Sequence, residues 1–295
     1  MRFQFIDEHH NEYPIALMCR VLDVSRSGYY AWRERPPSAR EMADQKLLEK
    51  IKAVHKQSRG RYGSPRIYEA LLQLEIRCSR KRVARLMRQH GIWGKRPRRR
   101  RRTTDSGHNL PVAPNRLQQD FSATAPNQKW CADITYIATG EGWLYLAIII
   151  DLYSRLIVGW AIGDDLSRHL VLTAFRMATG RRRPGPGLIH HSDRGSQYAS
   201  GDYQRMLAHW KMLPSMSGVG NCFDNAPAES WFATLKVECV DIIYETKEQA
   251  RTELFEYMEV FYNRQRLHSK LDYLSPVAFE QQYHQLLNGA QLLVH

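Results

Sequence analysis

Residues 96–102 read Arg-Pro-Arg-Arg-Arg-Arg-Arg. Like charges at this density can neither bury themselves nor pair internally, so no compact element can run through them. Polar residues and prolines continue to Asn127, and the stretch is expected to link two folded parts of the 295-residue chain. The charge divides at the same place. Residues 1–120 hold 27 Lys/Arg against 12 Asp/Glu, net +15, while residues 121–295 hold 16 against 18, net −2. A basic part tied to a near-neutral one suits delivery of chemistry to a polyanion. The arginine run, Arg98, Arg99, Arg100, Arg101 and Arg102 included, is most simply a flexible arm lying along phosphates, and a solvated tether would be compatible with the same job.

Several classes are excluded. The apolar fraction of 43% is that of a folded protein, not a disordered one. The longest apolar stretch, Trp143–Ile150, is too short to cross a bilayer, and no secretory signal opens the chain. Cys19, Cys78, Cys131, Cys222 and Cys239 are scattered without a CxxC pair, which points to a reducing compartment and away from a disulfide framework or a cysteine zinc site. A soluble cytoplasmic protein, associated with the nucleoid and not with a membrane, is expected.

In the basic part, Tyr13 to Arg33 reads as two short helices with a break at Asp23-Val24 and an N-cap at Ser25. This fits a helix-turn-helix or, equally, a structural helical hairpin. A second set is clearer: a helix over Leu47–His55, another from Ser64-Pro65 to Leu74, and a third from the Ser79 cap to Gly91. In the third, Val83, Leu86 and Met87 would face inward, leaving Arg80, Lys81, Arg82, Arg85 and Arg88 outward. That arrangement suits a recognition helix in the major groove of double-stranded DNA, against the alternative of a solvated basic face. The expected organisation is 1–40 helical, 41–95 helix-turn-helix, 96–127 linker, 128–245 α/β core and 246–295 a helical extension.

The α/β part opens with strands at Lys129–Ala138, Trp143–Asp151 and Leu156–Ile162. A helix near His169–Thr179, a strand at Leu188–His191, a helix around Tyr203–Trp210, a strand at Leu213–Met216 and a helix from Asp224 follow. A further helix runs from Glu248 to about Arg264. The order βββαβαβα describes a ribonuclease-H-like α/β layer.

Three carboxylates occupy particular places on these elements. Asp133 lies on the first strand, Asp193 just after the fourth, and Glu229 in the first turns of the helix that Pro227 helps to open, with 59 and 35 residues between them. Each has a plain reading: a strand-end polar group, a turn residue, a charge favoured by the helix dipole. In a ribonuclease-H-like layer they would converge, and converging carboxylates repel unless cations join them. Oxygen ligands of this kind suit two Mg²⁺ or Mn²⁺ ions, which would serve an in-line displacement at phosphorus. Asp151 is expected to pair with Arg155, Asp224 and Asn225 to cap the helix, His190 and His191 to orient the strand end, and Trp231 and Phe232 to pack in the core.

The segments Trp130–Tyr136, His191–Tyr198 and Asp224–Ser230 resemble the DDE core of retroviral-integrase-type transposases. With Leu17–Leu22 and Tyr62–Ile67, nearly the whole chain resembles the second reading-frame product of the IS-three class of bacterial insertion sequences. The resemblance implies Asp133, Asp193 and Glu229 as a metal-binding catalytic triad, and Lys236, seven residues past Glu229 and on the same helix face, as a DNA contact. It also implies cleavage and strand transfer at element ends, through a circular intermediate, by a protein that assembles with itself on terminal-repeat and target DNA. Members of the class usually work fused to an upstream-frame partner with a leucine zipper, and no heptad run precedes Arg2 here. A retroviral amino-terminal zinc site is not expected, because the cysteines lack its spacing.

Two other readings compete. A non-catalytic DNA-binding regulator could occupy element ends without cutting them. Tyrosine recombination is suggested by His191-Ser192-Asp193-Arg194, but that segment follows a strand and enters a glycine turn, not a helix.

Overall fold

The computed structural model describes residues 1–96, 112–218 and 222–292. The expected arm at Arg98, Arg99, Arg100, Arg101 and Arg102 lies outside the described residues.

Three short helices come first: α1 (Arg2–Glu8), α2 (Ile15–Val21) and α3 (Arg26–Glu34). Ile6, Met18, Cys19 and Tyr29 form a small core of their own. Ser25 caps α3 as expected, accepting from Gly28 N at 3.0 Å. The first helix was not foreseen, because only Phe3, Phe5 and Ile6 mark its apolar side.

The second helical set is α4 (Ala39–Gln57), α5 (Ser64–Gln73) and α6 (Arg80–Gln89). Ser38 and Glu41 form a reciprocal capping box at the start of α4, and Ser79 caps α6 through Arg82 N. Their apolar faces, Leu47, Ile51, Ile67, Leu71, Val83 and Leu86 among them, merge into the same hydrophobic cluster as one face of the sheet. The helix-turn-helix region is therefore packed on the α/β core and not simply tethered to it.

The sheet comprises β1 (Lys129–Thr139), β2 (Gly142–Asp151), β3 (Ile157–Gly163), β4 (Ile189–Ser192) and β5 (Leu213–Met216), ordered β3-β2-β1-β4-β5. The first three strands are antiparallel, while β4 lies parallel to β1 and β5 parallel to β4. This is the ribonuclease-H-like layer the sequence predicts, preceded by all-α helices. Helices cover both faces, so β2 reads Ile148-Ile149-Ile150 with no polar alternation, and all three are buried. On one face lie α7 (Arg168–Arg182), α8 (Ser196–Ala199) and α9 (Gly201–His209), packed on Trp130, Ala132 and Ile149. Helix α7 crosses β3 so closely that a Cβ on Gly159 would stand 2.3 Å from the Ala174 carbonyl oxygen.

The opposite face is covered by α10 (Ala226–Glu238) and α11 (Lys247–Phe255), with α12 (Pro276–Leu292) closing the chain. The helix expected over 248–264 is α-helical only to Phe255 and widens to π turns over Glu256–Tyr262, which bury Tyr257, Met258, Phe261 and Tyr262 together.

Candidate active site

Strand alternation decides which side of the sheet each β1 residue serves. Trp130 and Ala132 face α7, whereas Cys131 and Ile137 belong to the α10 side. Asp133 shares the parity of Cys131, so it interrupts an apolar row beneath α10. The β1–β4 register pairs Ala132 with Ser192. One residue further along each chain come Asp133, still on β1, and Asp193, the first residue past the end of β4.

Each carboxylate is held by a nearby backbone amide. Ile134 N–H donates to Asp133 Oδ1 at 2.8 Å, and Gly195 N–H donates to Asp193 Oδ1 at 2.9 Å. The third element arrives through Asn225. It was expected to cap α10, but its side chain makes no cap bond; it donates instead to the Ala132 carbonyl at 3.4 Å and accepts from Cys131 Sγ at 2.7 Å. Asn225 therefore pins the start of α10 to β1 immediately before Asp133. Asp224 likewise serves the surrounding loops, accepting from Gly218 N and Gln119 Nε2. Glu229 follows in the first turn of α10, exposed, with Lys236 two turns along the same face.

The electrostatics tie these groups together. Burial pushes the Asp133 carboxyl well above the usual carboxylate range, and the charges of Asp193 and Glu229 push it further, while Ile134 N–H and Lys236 oppose them. Beneath them, the Tyr198 hydroxyl is buried and, among the described residues, has no hydrogen-bond partner. Burial raises its pKa, and the charges of Asp133 and Asp193 add to the rise. Among the described residues no three His, Cys, Asp or Glu side chains stand close enough together to hold a metal ion as they are. The carboxylates share one region and repel one another across it.

The neighbouring histidines are engaged by hydroxyl groups. His191 is bracketed by Ser215 Oγ at 2.8 Å and Ser217 Oγ at 3.3 Å, and burial lowers its pKa to about 4. His190 meets Tyr203 OH at 3.0 Å and is lowered to about 3, chiefly by burial. Both are neutral struts at the strand end. Trp231 and Phe232 are buried, as expected of core residues. Asp151 does not pair with Arg155. It accepts from the backbone amides of Asn127, Tyr153 and Ser154 and from Trp130 Nε1, because the β2–β3 turn folds back over it.

The basic helix also differs in detail. Arg82 and Arg85 both grip Asp44 of α4, at 2.5 and 2.7 Å, and Arg80 pairs with Glu69 of α5 at 2.6 Å. Only Lys81 and Arg88 stay exposed on α6 with no ion pair among the described residues. A group missed in the sequence lies at the other end of α10. Glu238 is buried, and Arg266 meets it twice, at 2.7 and 2.8 Å. Tyr257 OH donates to it at 3.0 Å, and Arg61 Nε donates to its main-chain carbonyl at 3.0 Å. Its signal was an acid on the stripe of Trp231 and Leu235.

A ribonuclease-H-like sheet with acids on and just after its neighbouring central strands β1 and β4, preceded by packed helix-turn-helix segments, defines an integrase-core protein with a helical DNA-binding region. Residues 123–222 and 229–283 match integrase core domain families, and residues 42–100 match an HTH-like domain. The chain is 48% identical over 270 residues to the insertion element IS600 uncharacterized 31 kDa protein of Shigella sonnei, spanning 91% of this chain and 99% of that one. It is 42% identical over 283 residues to transposase InsF for insertion sequence IS3A of Escherichia coli (strain K12), spanning 95% and 98%. The chain belongs to the IS3-family transposases of the InsF type. Among solved structures it is similar to a chain of the simian T-cell lymphotropic virus intasome in complex with PP2A regulatory subunit B56 gamma, with 14% identity, TM-score 0.46, and 78% of this chain and 74% of that chain covered. It is also similar to the HTLV-2 integrase catalytic core domain in complex with magnesium (trimeric form), with 14% identity, TM-score 0.39, and coverage of 54% and 99%. Among the described residues no helix is long and apolar enough to cross a membrane.

Proposed function

We propose that this transposase cleaves the 3′ ends of its insertion sequence and transfers them to a second strand, with Asp133, Asp193 and Glu229 as the metal-holding catalytic residues. The observation that carries the reading is the electrostatic state of Asp133: a half-buried carboxyl under the charge of two more acids, with Lys236 opposing them. Acids so placed, all oxygen donors, fit a site completed by divalent cations. Bound there, two Mg²⁺ or Mn²⁺ ions would supply charge neutralisation at the attacking and leaving oxygens.

The chain's own residues do the rest. The amides of Ile134 and Gly195 orient the two aspartates, and Asn225 sets the start of the helix that presents Glu229. Lys236 lies about 10 Å along that helix from Glu229, placed to hold a DNA phosphate. Water attacks phosphorus and the 3′ oxygen leaves with its bonding pair. The freed 3′-OH then attacks a second phosphodiester, displacing another 3′ oxygen. No side chain becomes covalently bound to DNA, and the neutral histidines carry no proton in either step. The protein is expected to act as a homo-oligomer on terminal-repeat and target DNA, with an upstream-frame partner where that is required.

The test is joining of labelled element ends by the purified chain, in Mg²⁺ against EDTA, with and without the upstream-frame segment. Asp133→Asn, Asp193→Asn and Glu229→Gln should each abolish joining while leaving duplex binding within about threefold, since they remove charge and not contact area. A Glu229→Gln protein that still joined ends would overturn the triad.

A further inference from the structure

A cavity among the described residues lies away from the carboxylates. Its volume is about 560 Å³, and it opens between α5, α6, the segment after α6 and residues Ser269 and Tyr273 of the C-terminal region. Its lining includes Arg61, Arg66, Arg88, Lys95 and Arg96, together with Trp93, and among the described residues none of the lining is acidic.

The charge in its wall is not balanced. Arg66 and Arg266 share one carboxylate, Glu238, whose two oxygens are already taken by Arg266, while Arg61 reaches only the Glu238 main-chain carbonyl. Arg66 reaches that carboxylate only at 3.8 Å and otherwise donates to the Leu267 carbonyl. Burial, and then the charge of Arg266, lower its pKa, as befits a guanidinium short of counter-charge. Lys95 is offset by Asp241 at 2.8 Å. Arg88 and Arg96 stand exposed at the mouth, and the Arg96 guanidinium lies 5.1 Å from the centre of the half-exposed Trp93 ring.

Elsewhere on α6 the cations are spent internally, on Asp44 and Glu69. Of the two α6 cations left without an ion pair among the described residues, Lys81 and Arg88, it is Arg88 that lines this cavity. Guanidinium groups suit phosphate oxygens because their donors are fixed in a planar fork, and an indole beside them offers a face for a sugar or base.

We propose that this cavity is a seat for the sugar-phosphate backbone of duplex DNA, with Arg66, Arg88 and Arg96 on successive phosphates and Trp93 against the strand. The contact is sequence-independent and sits where the helical region meets the C-terminal segment, so both would hold the same duplex. It rests on the transposase reading for the source of its ligand.

The test uses the full chain and two fluorescent 30-bp duplexes of unrelated sequence, titrated across salt concentrations, with inorganic pyrophosphate as competitor. Arg88→Ala/Arg96→Ala should weaken both duplexes alike, by about tenfold at moderate salt, and lower the salt slope by about 2. Ala84→Glu, which places a carboxylate in the wall without removing a cation, should weaken binding similarly, whereas Arg176→Ala/Arg205→Ala on the α7–α9 side should not. Unchanged affinity and slope in both cavity variants, in a protein that still joins ends, would overturn the seat and leave the transposase reading standing. Competition by pyrophosphate that the cavity variants abolish, without loss of duplex affinity, would assign the cavity to a small anion and overturn the DNA proposal. A wild-type chain that bound neither duplex would overturn the DNA reading itself.

Discussion

Replacing Arg266 by Met should be among the most damaging single changes in the protein, although it lies far along the chain from the three carboxylates. Arg266 and Glu238 are each about 4% exposed and meet in a two-point contact at 2.7 and 2.8 Å. Burial works against the Arg266 charge, and the Glu238 carboxylate overrides it, holding the guanidinium above its ordinary value. Taking Arg266 away leaves a buried carboxylate with the Tyr257 hydroxyl at 3.0 Å and Arg66 at 3.8 Å. Breaking such a pair costs about 3–5 kcal/mol, and partial rescue by Arg66 argues for the lower end, about 3 kcal/mol. For a chain of this size that is a fall in Tm of about 6 °C. Arg266→Met/Glu238→Met removes the orphaned charge along with its partner, and should return to within about 1–2 kcal/mol of wild type, the remainder being the Tyr257 hydroxyl left alone. Calorimetry on the three proteins decides it. A double variant no more stable than Arg266→Met, or an Arg266→Met protein that melts within 1 °C of wild type, roughly the noise of such a scan, would refute the reasoning.

Asp133→Asn should stabilise the metal-free protein. The folded carboxyl titrates above its unfolded value, so in that interval the folded state holds more protons and wild-type stability falls as pH rises. The Tm advantage of Asp133→Asn in EDTA should therefore widen from about pH 4 to pH 8. Magnesium should raise the wild-type Tm at pH 8, by the equivalent of about 2.7 kcal/mol at 100 times its Kd, and leave Asp133→Asn behind. Asn225→Ala severs α10 from the Ala132 carbonyl and Cys131. It should cost about 1–3 kcal/mol in a urea melt and slow end joining more than it weakens DNA binding. Gly159→Ala forces a Cβ against the Ala174 carbonyl and Ala178, so it should destabilise by about 3 kcal/mol or more, read as a lowered urea midpoint.

What the chain reveals before folding follows from how local each cause is. The apolar run of β2 and the alternation of β1 are set by burial at adjacent positions, and their strands fall within a residue or two of expectation. The parity that puts Asp133 under α10 is likewise local. Partners chosen by tertiary packing were not legible. Asp151 has Arg155 four residues away, and from sequence that pairing is reasonable. In the fold, the turn carrying Tyr153 and Ser154, together with Asn127 just ahead of β1, supplies amide donors first. Asn225 precedes a helix and reads as a cap, yet the β1 carbonyl at Ala132 lies within reach and takes its side chain. Arg82 and Arg85 read as outward cations because Asp44 is 38 and 41 residues away from them.

The same contacts change what the +15 half is for. A basic region could have been a loose hand on DNA, held to the chemistry only by the arginine linker. Instead Arg61 and Lys95 donate to the main-chain carbonyl of Glu238, at 3.0 and 3.2 Å, and so bind the last turn of α10 to the helical region. Asn225 binds the other end of α10 to β1, one residue before Asp133. Thirteen residues of α-helix make a rod of about 20 Å. Fixed at both ends, it cannot displace Glu229 or Lys236 without breaking a buried contact at Glu238 or at Asn225. A force on the helical region from bound DNA therefore arrives at the carboxylates through α10. The helical region and β1 are joined by one element, α10, which carries Glu229 near its start and the buried Glu238 at its end.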